Sequence, residues 1–253
     1  MAAVRIGDRQ VYAEVAGAGE PVLLLHGGFG SIEAVRTLFE ALAQTHRVHA
    51  YERPGHGRTP DVPGEYDYRR DVDDARAFLD EQEVDAAHLV GYSDGGVIAL
   101  LLALAHPDRV LSVTAIGANL DATAFADTVP DGIPILPPPE PRADDPDRER
   151  QWYARLSPDG PAHADIVLAK LQRLWAKGPE IAPADLEAIT APTLVVSADR
   201  DTIRVDHSLL IAASIPRAQL CIVPGATHDL LAERPALIAT VVTDFLAEAR
   251  SRA

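Results

Sequence analysis

The sequence of 253 residues is 47% hydrophobic and 24% charged, and its formal net charge is −15. This length and apolar content are ordinary for one α/β domain with a large core. A surface so acidic repels nucleic acid and anionic lipid, so we expect neither as a partner and a small-molecule substrate instead.

Cysteine content and hydropathy indicate the compartment and the cofactors. The single cysteine, Cys221, allows no intrachain disulfide and lies in an apolar run, which predicts a buried thiol. No CxxC motif or His/Cys cluster suggests a zinc site. No apolar segment of signal-peptide length begins the sequence, and the longest apolar run, 97–105, is about half of a membrane span. We expect a cytoplasmic protein without a cofactor, and the oligomeric state stays open.

Up to residue 116, short β-branched or leucine-rich runs alternate with helical patterns. Residues 10–16 alternate like an exposed antiparallel strand, whereas 22–26 are continuously apolar, as in a central strand covered on both faces. Ser31 can cap a helix that continues to about residue 44, and Asp67 or a neighbour one that continues to about residue 83. The other predicted elements are strands at 47–51, 87–92 and 110–116 and a helix at 95–106.

Regular alternation stops between about residues 119 and 190. Prolines at 130, 134 and 137–139 exclude regular structure locally, an acidic turn follows at 144–147, and 166–177 predict an amphipathic helix. Several large side chains that are costly to expose to water favour a folded insertion over a disordered linker: Trp152, Tyr153, Leu174 and Trp175. We predict that 119–190 form a cap over the sheet edge, inserted into a core of 1–118 and 191–253.

Alternation resumes with strands at 192–198 and 219–223 and helices at 206–215 and 235–250. Strands alternating with helices predict an α/β fold with a mostly parallel central sheet and helices on both faces. Right-handed crossovers then bring the loops after the strands to one edge, where open α/β sheets bind ligands.

The segment Gly91-Tyr92-Ser93-Asp94-Gly95 matches G-x-S-x-G between a predicted strand and a predicted apolar helix. The sharp turn holds the serine in a strained backbone conformation, and the glycines on either side let strand and helix pass without Cβ clashes. The N-terminus of the helix favours negative charge that develops near the serine. We therefore predict that Ser93 is a nucleophile.

A serine hydroxyl needs a general base, and nine histidines are available. His228 lies in a turn just after a predicted strand, from which a loop can reach the nucleophile, so we predict it as the base. The histidines in helical, surface-like or isolated strand contexts are less suited: His46, His49, His88, His106, His163 and His207.

The acid that orients His228 should follow the strand at 192–198. Two residues compete there, Asp199 and Asp201. The chain order Ser, Asp, His fits either of them, and the sequence alone hardly separates the two.

From about residue 19 to 248 the chain resembles the α/β-hydrolase family, with a cap after the sixth core strand. The motifs that carry the resemblance are the serine turn, His26-Gly27-Gly28-Phe29-Gly30, Arg53-Pro54-Gly55-His56-Gly57-Arg58 and Pro224-Gly225-Ala226-Thr227-His228. The family acid usually ends a G-x-x-D pattern. Ala198 replaces that glycine and Asp201 takes the acid position, so the resemblance favours Asp201, while the missing glycine keeps Asp199 open.

The resemblance also implies an oxyanion hole, formed by the backbone N–H of Asp94 and that of Gly28 or Phe29. The removal of one such donor typically costs about 10²–10³ in rate. Three polar residues of the same turns are interpreted as scaffolding: His26, Arg53 and His56. Four aromatic residues are expected to line an apolar pocket: Phe29, Tyr92, Trp152 and Trp175.

Asp94 has two interpretations. Its carboxylate can stabilise the N-terminus of the helix, worth about 0.3–1 kcal/mol, or it can face the pocket and hold a substrate cation. The surrounding segment resembles the valacyclovir-hydrolase-like branch of the family, in which the corresponding acid is associated with amino-ester substrates.

These features predict a serine hydrolase that cleaves a small to medium ester, thioester or lactone through an acyl-enzyme. Because fold and triad do not fix the reaction, the same residues could serve acyl transfer, carbon–carbon bond hydrolysis or cofactor-free haloperoxidase chemistry. A small-molecule receptor with slow turnover is the alternative from another class of protein.

Overall fold

A computed structural model describes residues 2–7, 9–125, 136 and 147–251. In these ranges eight strands form: β1 (Ala2–Ile6), β2 (Arg9–Ala16), β3 (Pro21–Leu25), β4 (Arg47–Tyr51), β5 (Ala87–Tyr92), β6 (Val110–Ile116), β7 (Thr193–Ala198) and β8 (Ala218–Val223). The α-helices of the same ranges are α1 (Arg36–Leu42), α2 (Tyr68–Glu81), α3 (Asp94–Ala105), α4 (Arg148–Leu156), α5 (Ala164–Lys177), α6 (Val205–Ser214), α7 (Leu230–Glu233) and α8 (Pro235–Ser251). The predicted proline-rich segment and most of the acidic turn lie outside the described residues.

The strands form one sheet in the order β1-β2-β4-β3-β5-β6-β7-β8. β1 and β2 pair antiparallel, as do β2 and β4, and every pair from β4 to β8 is parallel. The carboxyl ends of the parallel strands therefore share one edge, and the loops that follow β5, β7 and β8 meet there. This arrangement confirms the predicted α/β-hydrolase fold.

Each face of the sheet has its own hydrophobic core. One core includes Phe78 of α2 and Ile98 of α3, and the other includes Leu42 of α1 and Val242 of α8. β3 is buried from Val22 to Leu25, as its continuous apolar sequence predicts for a central strand, and β5 beside it is buried along its whole length. Among the described residues, no helix combines the length and the apolarity needed to cross a membrane.

Side-chain caps fix where two helical segments begin. Ser31 Oγ accepts a hydrogen bond from the Glu33 N–H (3.2 Å), and a carboxylate oxygen of Asp67 accepts one from the Arg69 N–H (2.8 Å). Both caps were predicted from the sequence. The segment after Ser31 begins as a 3₁₀ turn, Ile32–Val35, before α1, so the single predicted helix is divided in two.

Three labelled elements lack a counterpart in the sequence prediction: β1, α4 and the short helix α7. β1 pairs with β2 across a tight turn at Gly7, whose φ is +61°, and the charged residues around that glycine obscure the strand signal. α4 begins after Asp147, whose carboxylate accepts from the Arg150 N–H. Cys221 is half-buried rather than buried, because β8 is the edge strand of the sheet.

Candidate active site

Ser93 lies in the turn between β5 and α3, with its backbone in the left-handed region at φ +55°. A non-glycine residue in this conformation is held there by its surroundings, at a cost of about 1–3 kcal/mol. A Cβ on Gly91 would lie 2.0 Å from the Gly95 carbonyl oxygen, and a Cβ on Gly95 would lie 2.3 Å from that of Leu25. Both glycines are therefore needed for α3 to cross so close to β5 and β3.

A chain of hydrogen bonds links three of the predicted site residues. Nε2 of His228 lies 3.0 Å from Ser93 Oγ, and Nδ1 of His228 lies 2.7 Å from Asp201 Oδ1. Asp201 is only 4% exposed, and its Oδ1 also accepts from the Ile203 N–H at 2.9 Å. This arrangement can pass a proton from the serine hydroxyl to an imidazole whose tautomer is held by a buried carboxylate.

The two competing acids contact different parts of the His228 loop. Asp201 contacts the imidazole, whereas a carboxylate oxygen of Asp199 accepts from the Gly225 N–H at 2.7 Å. Asp199 thus braces the turn that precedes His228. The missing glycine at Ala198 does not prevent Asp201 from reaching the imidazole.

The pKa of His228 reflects two opposing influences. Burial acts to lower it, but the charge of Asp201 and its hydrogen bond to the ring outweigh burial, so the pKa of His228 is raised above its ordinary value. An imidazole poised in this way accepts a proton more readily than a free histidine.

The turn after β3 lies directly against Ser93. A Cβ on Gly27 would be 3.1 Å from the Ser93 Cβ. His26 Nε2 accepts from the Arg53 N–H at 3.1 Å, and its Nδ1 lies 2.7 Å from the Gly27 carbonyl oxygen. Burial lowers the pKa of His26 to about 3, so the ring is neutral and can hold both contacts. Phe29 follows with φ +56°.

The carboxylate of Asp94 is surrounded by hydrogen-bond donors. It accepts from Arg53 Nη2 at 3.1 Å, from the Tyr68 hydroxyl at 2.9 Å and from Trp175 Nε1 at 3.0 Å. A Cβ on Gly28 would lie 2.6 Å from both Asp94 Oδ2 and Trp175 Cζ2. A substrate cation at Asp94 would therefore compete with three existing partners, one of them the guanidinium of Arg53.

The four aromatic residues expected to line a pocket occupy different places. Phe29 stacks on Tyr153 of α4, with 5.2 Å between ring centroids. The Tyr92 hydroxyl donates to the His228 carbonyl oxygen at 2.8 Å, so this side chain braces the histidine loop. Trp175 contacts Asp94, whereas Trp152 lies half-buried beneath the Arg155 guanidinium.

Three residues near the site lacked a role in the sequence prediction: Tyr68, Tyr153 and Glu149. Tyr153 is adjacent to the predicted Trp152, and the pattern could not tell which of the two faces inward without the bounds of α4. Glu149 as a whole residue is exposed, yet burial of its carboxyl end raises its pKa to about 7, and it raises the pKa of His228 in turn. In the sequence, the only feature that distinguishes Glu149 is its place as an acidic residue in the first turn of α4.

Residues 22–241 match the Alpha/beta hydrolase family. Together with the sheet topology, this match shows that the chain belongs to the α/β-hydrolase family, and the protein is an enzyme of hydrolase type. The resemblance to the α/β-hydrolase family is thereby confirmed, whereas the resemblance to its valacyclovir-hydrolase-like branch stays a prediction.

Relatives with different substrates share the fold. The chain is 32% identical to 2-hydroxymuconate semialdehyde hydrolase of Pseudomonas sp. (strain CF600), over 94% of this chain and 90% of that protein. It is 29% identical to 2-hydroxy-6-oxo-6-phenylhexa-2,4-dienoate hydrolase of Burkholderia cepacia, over 96% and 93%. The solved structure of Est816, described as an N-acyl homoserine lactone degrading enzyme, has a TM-score of 0.71 and 25% identity, with 96% and 100% of the two chains covered.

Proposed function

We propose that this protein is a serine hydrolase that cleaves a small to medium ester, thioester or lactone through an acyl-enzyme. The observation that carries the proposal is the hydrogen-bond chain from Ser93 Oγ through the His228 ring to Asp201. The similarity to Est816, described as degrading a lactone, supports the same class of substrate.

In this proposal His228 takes the proton of Ser93 as the hydroxyl oxygen attacks the acyl carbon, and then delivers it to the leaving group. A water molecule, activated by the same imidazole, releases the acid and restores the serine. The tetrahedral oxyanion is held by the backbone N–H of Asp94 and that of Gly28 or Phe29. Asp201 orients His228 and stabilises the imidazolium throughout.

The charges around His228 favour neutral or cationic substrates. After burial and Asp201, the next influences on the pKa of His228 are the carboxylates of Glu149 and Asp94, which both raise it. A site that stabilises an imidazolium in this way opposes the approach of a substrate carboxylate. An uncharged ester does not meet that repulsion, and the ionised form of Glu149 attracts an α-amino ester, whereas Asp94 is already paired with Arg53.

Carbon–carbon bond hydrolysis on the same triad is the second candidate, favoured by the relative from Pseudomonas sp.. The named substrate of that enzyme, 2-hydroxymuconate semialdehyde, contains a carboxylate and an aldehyde but no ester. A hydrolase acting on it must therefore break a carbon–carbon bond. The carboxylates near His228 weigh against such an anionic substrate here.

Substrate charge separates the two candidates. We would measure kcat/KM for p-nitrophenyl butyrate, its anionic hemisuccinate counterpart and its cationic 2-aminobutyrate counterpart, together with consumption of 2-hydroxymuconate semialdehyde. Acyl chains from acetate to octanoate would define the size of the pocket. We expect the neutral and cationic esters to exceed the anionic ester by about tenfold or more, an electrostatic difference of about 1.4 kcal/mol.

The Ser93→Ala variant gives the rate of background hydrolysis for every substrate. Faster turnover of the semialdehyde than of any ester would favour the second candidate. Ligand-dependent stabilisation with negligible turnover of every substrate would instead favour the slow-turnover receptor.

A further inference from the structure

Three potential metal ligands meet at the amino ends of the central strands, the edge of the sheet opposite Ser93. Glu20 precedes β3, His46 precedes β4, and His88 lies near the start of β5. One ring nitrogen of each histidine and one carboxylate oxygen of Glu20 all lie within 4.8 Å of one another. Because β3 pairs with both β4 and β5, the sheet itself brings the three side chains together.

Two of the facing atoms lack a hydrogen-bond partner. His88 is 2% exposed, and its Nε2 is buried without a hydrogen-bond partner among the described residues, as is Oε2 of Glu20. These two atoms are 3.6 Å apart, which is longer than a hydrogen bond. Buried polar atoms without partners are uncommon in native proteins and point to a missing water or ion.

A hydroxyl group contacts Nδ1 of each ring. Nδ1 of His88 lies 2.8 Å from Ser112 Oγ, and Nδ1 of His46 lies 2.8 Å from Thr45 Oγ1. When Nδ1 of His88 carries the proton, Nε2 keeps a free lone pair toward Glu20. Outer hydrogen bonds of this kind orient metal-binding histidines.

The turn before β3 is built to approach His46 closely. A Cβ on Gly17 would lie 2.1 Å from the His46 carbonyl oxygen, and one on Gly19 would lie 2.6 Å from that of Thr45. Both glycines have positive φ, +79° and +121°. The Glu20 backbone carbonyl then accepts from the Arg47 N–H at 3.0 Å, which fixes the backbone of Glu20 beside the histidines.

We propose that Glu20, His46 and His88 bind one divalent transition-metal ion, with Zn²⁺ the ion that two imidazoles and a carboxylate suit best. Donor atoms around tetrahedral zinc lie about 3.3 Å apart, so the 3.6 Å between His88 and Glu20 needs little adjustment. Water from the exposed side of Glu20 completes the coordination. The sequence suggested no zinc site, because the three ligands are scattered along the chain.

The ion would act on stability rather than on catalysis. It would tie together the amino ends of β3, β4 and β5. His88 lies near the start of β5 and Ser93 directly follows that strand, five residues later, which separates the two sites by roughly 16 Å. The proposal therefore does not depend on the hydrolase mechanism.

The guanidinium of Arg250 would compete with the metal ion for the carboxylate of Glu20. Its Nε lies 3.6 Å from the same Oε2 of Glu20, and its side chain is 72% exposed. Because a guanidinium and a metal ion repel each other, Arg250 must swing into solvent when the ion binds. Arg250→Gln should therefore raise metal affinity several-fold.

The test uses the full-length protein, stripped with a chelator and desalted. Zn²⁺ is titrated by calorimetry, and the melting temperature is measured with and without zinc well above the dissociation constant. We expect one equivalent to bind and the melting temperature to rise by about 5 °C or more. His88→Gln and Glu20→Gln should each abolish both effects, whereas the control His106→Gln should keep them.

Two results would overturn the proposal. One is the absence of binding and of any thermal shift in the wild-type protein. The other is an equal shift in the wild type and in the Glu20→Gln and His88→Gln variants, which would place the zinc on other residues. Each variant is first melted without zinc, so loss of folding is recognised separately, and Glu20→Gln, at the partly exposed ligand, disturbs the core least.

Discussion

Asp201 and Asp199 are two residues apart, yet they contact different groups of the His228 loop. Asp201→Asn removes the charge that raises the pKa of His228. We predict that kcat falls by about 10³–10⁴. We also predict that the acid limb of the kcat/KM profile moves to lower pH, because an imidazolium without its carboxylate loses its proton more easily. A pH–rate profile of the variant with a neutral ester measures both effects.

Asp199→Asn is the matched control. It changes only the acceptor of the Gly225 N–H, so we expect a mild loss of activity and an unmoved acid limb. If the two variants exchange these phenotypes, Asp199 is the residue that orients the histidine.

Asp94 combines a backbone N–H expected in the oxyanion hole with a carboxylate bound to three donors. Asp94→Asn weakens the contact with Arg53 and so displaces the backbone that should hold the oxyanion. Because misplacement of about 1 Å can cost 10²-fold, we expect kcat/KM to fall at least about tenfold for amino-acyl and uncharged esters alike. Parallel assays with isosteric esters measure the ratio.

Trp175→Phe serves as the comparison for Asp94, since it removes a single donor to the same carboxylate. A selective loss for amino-acyl esters in Asp94→Asn would contradict the positioning role and would show that Asp94 holds a substrate ammonium. Unchanged rates for both substrate classes would make Asp94 a bystander.

Between elements, α5 of the predicted cap is joined to the loop after β4 by a buried ion pair. Nζ of Lys170 lies 2.7 Å from Asp61 Oδ2 and 2.6 Å from the Val62 carbonyl oxygen. The two charged side chains are 10% and 7% exposed. His163 and Tyr66 contact the same carboxylate, so this junction fixes α5 against the core.

Lys170→Met should loosen this junction. Removal of one partner leaves a buried carboxylate without its main counter-charge, and we expect a loss of up to about 3 kcal/mol in the free energy of unfolding. KM should rise more than kcat falls, because α5 carries Trp175 to the site. Denaturant unfolding and steady-state kinetics measure these effects. Lys177→Met, at an exposed position on the same helix, should change neither, and equal behaviour of the two variants would contradict a role for the junction.

The bounds of strands were most predictable from the sequence where the strand is buried in the middle of the sheet. Strands at 47–51, 87–92 and 110–116 were predicted with the bounds that the structure has, because short runs dominated by apolar and β-branched residues, flanked by turns, leave little choice. β1 was missed because its signal depends on pairing with β2. The start of α4 follows an acidic turn that the pattern alone assigned to a loop.

The candidate site was predictable only in part. Ser93 and His228 follow buried strands, so their convergence at one sheet edge follows from topology. The partners of Asp94 could not be predicted from the topology in this way. Arg53, Tyr68 and Trp175 lie 41, 26 and 81 residues away along the chain. Such contacts depend on the packing of helices across the sheet edge, which periodicity does not encode.

Across the whole molecule, the carboxyl ends and the amino ends of the parallel strands carry different chemistry. The carboxyl ends of β5, β7 and β8 carry Ser93, Asp201 and His228, and the amino ends of β3, β4 and β5 carry the proposed metal ligands. The net charge of −15 adds a long-range field that disfavours anionic ligands. This field reinforces the local preference for neutral or cationic substrates at His228.

The central claim, that Ser93 is an activated nucleophile, is tested most directly by labelling with a fluorophosphonate followed by peptide mass spectrometry. We predict one label per chain, on Ser93, with loss of esterase activity in proportion to labelling. Ser93→Ala should lose both the label and turnover while its melting temperature stays close to that of the wild type. Labelling of another residue, or full activity in Ser93→Ala, would contradict the account.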